Sequence, residues 1–304
     1  MDRLREAITP QLLRRIVDMC IPWSRTEPLD WRVVTGQIFS PPPGPDTTLE
    51  QDAWNALLVL SEFRTQAALP SLFELLPSAS DPDFPIQALG LQVLVDQYPR
   101  RLCKGIDGRW TNAYFDLLSN QLAVTLNEMP EPQRPSGWAR WKETATLDYW
   151  LIARIWYGAP LVHKDTVLSQ EQALLYTDET RRQIEESTKT TDSYRAKREE
   201  ILADIYGFPR VLEEGPPTGD EATLTGMSYW TCMLMDIHKP IVDKFGRYPY
   251  RNAFFGYEDT MEEKQWIEKT GGFAVPDREV REAIARDIKA GVWTPLGAGK
   301  RNEV

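Results

Sequence analysis

Every long apolar run in this chain repeats at helical rather than alternating spacing, and proline-rich breaks separate the runs, so its core has to be built by packing helix on helix. Over 7–21, Leu12, Leu13, Ile16, Val17 and Cys20 recur at helical spacing, and Pro22 ends the run because a proline cannot extend a helix. The stretch Ser40-Pro41-Pro42-Pro43-Gly44-Pro45-Asp46 reads as a stiff, polyproline-like linker, with Asp46 or Thr47 capping a helix that begins near Leu49. Further helices are predicted over 49–64, 66–76, 85–97, 112–127, 147–156, 169–186, 193–205, 224–245, 261–269 and 277–289. No segment alternates as a strand would. The expected class is all-α, made of antiparallel helical hairpins.

A chain of 304 residues with 42% hydrophobic and 26% charged residues can bury a sizeable core as one large or two small domains. The expected division is a helical arm and proline-rich linker over 1–48, a helical core over 49–275 and a C-terminal helix and tail over 276–304. No apolar run reaches the length of about 18 residues that a membrane span needs, and Met1-Asp2-Arg3-Leu4-Arg5-Glu6 opens a charged amphipathic helix. A soluble, cytoplasmic protein with no membrane partner is expected. Cys20, Cys103 and Cys232 are odd in number and lack CxxC spacing, which argues against a disulfide framework and a zinc site. A formal charge of −10 repels a phosphate backbone, and the basic cluster Arg195 to Arg198 lies among acids, so nucleic acid is disfavoured.

Two stretches carry most of the site-like character: Asp96-Gln97-Tyr98-Pro99-Arg100 and Phe245-Gly246-Arg247-Tyr248-Pro249-Tyr250-Arg251-Asn252. Each follows an apolar helical run and sets an aromatic ring and a proline beside arginine, so both read as helix ends that lie side by side. The polar residues Asp96, Arg100, His163, His238, Arg247 and Arg251 are expected to converge there. They can serve as a buried network of paired charges, or as donors to a ligand oxygen with a histidine moving a proton. Arg251, Tyr250, His163 and His238 are the catalytic candidates; Asp96, Tyr98, Arg100, Arg247, Tyr248, Trp150 and Tyr257 are the substrate-binding candidates. Trp150 enters because Trp138, Trp141, Trp150 and Trp156, with Tyr149 and Tyr157, are dense enough to line a cavity, although large rings also simply fill gaps between helices. No metal is expected, since two distant histidines lack HxxxH spacing, and no cofactor, since GxSxG, GxxxxGK[ST] and GxGxxG are all missing.

The run from Leu89 through Asp96-Gln97-Tyr98-Pro99-Arg100-Arg101 to Lys104-Gly105 resembles the hallmark of the domain-of-unknown-function-924 family, an apolar helix ending in Asp-Gln-aromatic-Pro-Arg-Asn. His238, the Phe245–Asn252 stretch, Thr260-Met261-Glu262-Glu263 and Gly271-Gly272-Phe273 are similar to its second hallmark and its usual end. A looser match is Ala159-Pro160-Leu161-Val162-His163-Lys164-Asp165, followed by Gln170 or Gln172. The resemblance covers about 85–275 and implies a tetratricopeptide-like helical array, whose hairpins of about 30–40 residues suit this chain. It implies no reaction. Arg101, Lys164, Tyr250 and Tyr257 depart from the family's Asn, Ser, His and Arg, and the long, tryptophan-bearing form looks like fungal members.

Two functions follow as expectations. One is a cofactor-independent enzyme of specialised metabolism that holds an apolar, oxygenated small molecule, polyketide- or terpenoid-like, and promotes dehydration, cyclisation or a hetero-Diels–Alder closure. The other is a non-catalytic tetratricopeptide-like scaffold for a peptide or protein. A deep pocket with Tyr and Arg favours the first; an open groove with exposed apolar surface favours the second. The residues leave the oligomeric state open.

Overall fold

The computed structural model describes residues 1–38, 46–66 and 68–298, and among these the chain is all-α with no strand. The expected linker at Ser40 to Pro45 lies outside the described residues. The N-terminal part holds α1 (Asp2–Ala7), α2 (Pro10–Cys20), α3 (Trp31–Val34) and α4 (Thr47–Ser61). The centre follows with α5 (Phe84–Leu102), α6 (Gly108–Trp110), α7 (Asp116–Asn127), α8 (Leu147–His163) and α9 (Val167–Thr188). Then come α10 (Arg198–Ala203), α11 (Gly207–Glu214), α12 (Leu224–Asp236), α13 (Lys239–Phe245), α14 (Asn252–Phe255), α15 (Met261–Lys269) and α16 (Arg278–Lys289). None of the described helices is long and apolar enough to cross a membrane.

Side chains cap the starts of α2, α3, α4, α8, α9, α12 and α15. Asp46 accepts from the Leu49 amide at 2.9 Å to open α4, and Thr260 and Glu263 form a reciprocal capping box that opens α15 where the sequence predicted it. Four departures involve proline. Among the described residues of the helix expected over 66–76, only a 3₁₀ turn forms, at Leu72–Leu75, because Pro70 and Pro77 leave too short a span between them to nucleate a helix. The helix expected over 224–245 breaks after Asp236, since Pro240 has no amide to give and its ring would press on the carbonyl four residues earlier. Conversely, α5 does not end before Pro99 but runs on to Leu102, and α8 runs through Pro160 to His163. Burial of nearly every residue from 84 to 96 outweighs one missing ladder bond, a cost of about 3 kcal/mol.

That burial makes α5 the axis of the core, with α2, α4, α7 and α8 packed around it and α9 joining α8 to α12. The N-terminal arm shares the same buried cluster as the core, through Leu4, Leu13, Ile16 and Val17. Gly90 permits this: a Cβ there would lie 2.3 Å from the Leu13 carbonyl oxygen, so α2 and α5 meet backbone to backbone. Gly90→Ala should therefore lower stability by about 1–3 kcal/mol or more, through a clash that no side-chain motion relieves. Gly36→Ala, with only ordinary contacts around its Cβ, should change the denaturation midpoint little. Equal midpoints for the two variants would mean that α2 does not dock this closely.

Candidate functional site

The site grows from the C-terminal turn of α8, whose last carbonyls have no partners within the helix. Side chains supply them. Ser169 Oγ donates to the Leu161 carbonyl at 2.7 Å. Gln170 Nε2 lies 3.2 and 2.8 Å from the carbonyls of Val162 and Lys164 and 2.9 Å from the Tyr248 hydroxyl and shares its two N–H bonds among them, while that hydroxyl donates to Val162. Arg251 donates to the His163 carbonyl at 2.6 Å. Of the two glutamines that the family resemblance offered, Gln170 is the one that clamps this turn. His163 therefore leaves the helix in a fixed position.

Its imidazole Nδ1 lies 2.9 and 3.0 Å from the two carboxylate oxygens of Asp96, which is wholly buried on α5. Gln97 and Ser119 complete the carboxylate's partners at 2.5 and 3.3 Å. Burial by itself pushes the Asp96 carboxyl up, but the attraction of His163 and Arg100 prevails and holds it at about 2. Burial, reinforced by Arg100, pushes His163 below its ordinary value, and Asp96 offsets this only in part. At neutral pH the pair is thus carboxylate and neutral imidazole. A carboxylate can only accept, so Nδ1 carries the ring proton and Nε2 is left with its lone pair. Among the described residues Nε2 has no hydrogen-bond partner, and His163 lines a cleft of about 450 Å³.

The two motif stretches meet beside this dyad through Asp116 on α7, 2% exposed. Its carboxylate takes Arg100 at 2.7 Å on one oxygen and Arg251 at 2.5 Å on the other. Arg100 also reaches 3.7 Å from Asp96. Burial disfavours the charged guanidiniums, but Asp116 outweighs it and raises both. The sequence reading missed Asp116, which sits in an otherwise ordinary amphipathic helix. Tyr250 lines the cleft next to Arg251, stacked on Tyr248 at 5.3 Å and edge-on to Phe273 at 5.5 Å. Its hydroxyl has no hydrogen-bond partner among the described residues, and burial, partly opposed by Arg251 and Arg100, pushes it up to about 12, so it remains a donor.

Asp96, Arg100, His163, Tyr250 and Arg251 thus come together, with Tyr248 supporting them from behind. The other candidates lie elsewhere. His238 is 6% exposed and bonds the Leu234 carbonyl through Nδ1 at 2.9 Å, with the Phe208 ring 3.8 Å away on centroids. Burial foremost pushes it to about 3, so it stays neutral and is not a wall of the cleft. Arg247 is paired with Glu263 at 2.8 and 3.0 Å and covers the exposed Tyr257 ring. Tyr98 is buried and is not a wall of the cleft. Trp150 is buried against Trp138 and Arg154 and donates to the Ser136 carbonyl at 3.0 Å, so its ring fills the packing between α8 and its neighbours. Among the described residues no three His, Cys, Asp or Glu side chains gather where they can hold a metal ion.

An all-α chain with a buried carboxylate–histidine dyad opening into a cleft is the class that these observations define. Residues 58–271 match the family described as "Bacterial protein of unknown function (DUF924)", and the chain belongs to that family. No curated protein and no solved structure matches it.

Proposed function

We propose that this protein is a cofactor-independent enzyme acting on an apolar, oxygenated small molecule, with His163 as base and Tyr250 as acid. The observation that carries this reading is the pairing, in one cleft, of an imidazole nitrogen with a free lone pair and a phenol with a free O–H. His163 Nε2 takes a proton from carbon beside a substrate carbonyl, and Asp96 stabilises the imidazolium that forms. Tyr250 donates to the carbonyl oxygen as negative charge develops on it, with the Arg251 and Arg100 guanidiniums nearby. If a hydroxyl stands one carbon further along, it leaves with the proton now held by His163, and water is the balancing product. The conjugated product can then close to a ring in the shape that the cleft imposes, which suits dehydration, cyclisation or a hetero-Diels–Alder step. Fungal specialised metabolism of polyketide- or terpenoid-like compounds is the setting proposed, and neighbouring genes would supply candidate substrates.

The test is product formation by the purified protein on such a candidate, without added metal or nucleotide, followed against pH. The free-enzyme rate should rise with pH through a value below 6.5 as His163 loses its proton, then hold level until Tyr250 titrates near 12. A rate that falls as pH rises through the neutral range would reverse these roles. The alternative, a tetratricopeptide-like scaffold for a protein partner, draws on Leu168 and Leu175, which stand 68% and 71% exposed two turns apart on α9. That reading expects no turnover.

A further inference from the structure

We propose that the ligand of this cleft is an aromatic carboxylate, and that the segment after the family-matched stretch supplies the wall that selects it. The inference rests on reading the cleft as the functional site and goes beyond it in naming what binds. Three cations line the cleft, Arg100, Lys104 and Arg251, against one acid among the described lining residues, Asp277. Asp96 and Asp116, which pair with the arginines, are 0% and 2% exposed, and neither they nor Asp165, which also attracts Arg251, line the cleft, so the surface offered to a ligand is positive. Lys104 bonds only the Arg100 carbonyl, at 3.1 Å, and has no carboxylate within 4.0 Å among the described residues. An anionic group meets a free ammonium and two oriented guanidiniums there.

The rest of the lining is apolar and ring-rich. Phe208 and Phe273 meet edge to face at 5.4 Å, and Phe273 meets Tyr250 in the same way. Phe254 closes over Gly108, where a Cβ would lie 2.9 Å from its ring. A flat ring system packs on such edges and faces better than a flexible chain does. The family match ends at residue 271, within the Gly271-Gly272-Phe273 stretch that is similar to the family's usual end, so Phe273 stands at its margin while Pro276 and Val280 come from outside it. Their segment is fastened at its far end. The guanidiniums of Arg64 and Arg109 stand 4.4 and 4.1 Å from the centre of the Trp293 ring, Trp110 donates to the Thr294 carbonyl at 2.9 Å, and the Gly297 amide bonds Asp107 at 3.1 Å. A wall held this firmly fixes the width of the cleft, and it belongs to this chain rather than to the matched family stretch.

The test is calorimetric titration of the full chain with 2-naphthoate and with 2-naphthamide, its neutral counterpart of nearly equal size. Naphthoate should bind one to one, tighter than roughly 1 mM, and the amide about tenfold more weakly. Lys104→Met should remove most of that difference. Phe273→Ala and the surface variant Val280→Glu, each checked by its circular dichroism and melting midpoint, should weaken naphthoate by about tenfold or more. Absence of binding, or equal affinity for acid and amide in the native chain, overturns the carboxylate assignment. Unchanged affinity in both well-folded wall variants overturns the assignment of the wall. The titration reads binding alone. Naphthoate binding by a protein that shows no turnover would sink the catalytic reading and leave this one standing, whereas turnover without naphthoate binding would do the reverse.

Discussion

Asp116→Ala should lower the stability of this protein by about 3–5 kcal/mol, among the largest effects of any single substitution near the cleft, although Asp116 is absent from both sequence motifs. Its two carboxylate oxygens hold Arg100 and Arg251 separately, and both guanidiniums are largely out of water. Removing the carboxylate leaves two like charges facing each other, with Asp96 3.7 Å from Arg100 and Asp165 the remaining acid that attracts Arg251. The cost is that of an uncompensated buried charge, which exceeds the net worth of the ion pairs themselves. Pairing Asp116→Ala with Arg251→Met should recover part of the loss, a coupling of about 0.5–3 kcal/mol in a double-mutant cycle of denaturant unfolding. Additive effects would show that the cluster is solvated and the charges independent. Substitution of Arg251 does not read turnover alone. Arg251 also holds the His163 carbonyl, so its loss disturbs fold and site together, and Tyr250→Phe is the cleaner probe.

The helical class was legible because hydrophobic spacing is a local property that survives without knowledge of partners. The Thr260-Met261-Glu262-Glu263 stretch, which resembles the family's, sits at the start of α15 and closes there as a capping box complete within four residues. Proline was read too literally. Pro99 and Pro160 are rule-breaking positions whose cost is met by burial on all sides, and burial is not visible in a linear pattern. The site divided along the same line. Asp96, Arg100, His163, Tyr250 and Arg251 stood out because each lies in a motif with a rare residue or a proline, whereas Asp116 looks like any acid on a polar helix face. Trp150 lies apart from the cleft for the opposite reason: an aromatic side chain is equally suited to filling a gap and to lining one, and only its neighbours Arg154 and Ser136 tell which. His238 shares its motif with the site residues but faces Phe208, so proximity in the pattern did not make it a group that meets a ligand.

His163→Gln should reduce turnover by about 10²–10⁴-fold while leaving the fold nearly intact, because the base is lost but an amide can still donate to Asp96. Asp96→Asn should cost nearly as much in rate and more in stability. An asparagine can present its N–H to Nδ1, which moves the ring proton to Nε2 and leaves no lone pair toward the cleft. A structural dyad would give the reverse order, with stability lost in both variants and rates unchanged in whatever remains folded. The chain offers a route to the same answer without any substrate, since it contains only two histidines. Diethylpyrocarbonate attacks a neutral imidazole nitrogen that has a free lone pair and access to solvent. His163 meets both conditions, while His238, 6% exposed and covered by Phe208, lacks the access. One histidine should therefore react quickly and the other only as the protein unfolds, and the fast phase should vanish in His163→Gln. The fast rate should rise with pH through the same value, below 6.5, that governs turnover, which would tie the reactive nitrogen to the base. If both histidines react slowly, Nε2 does not meet the cleft and the dyad belongs to the core.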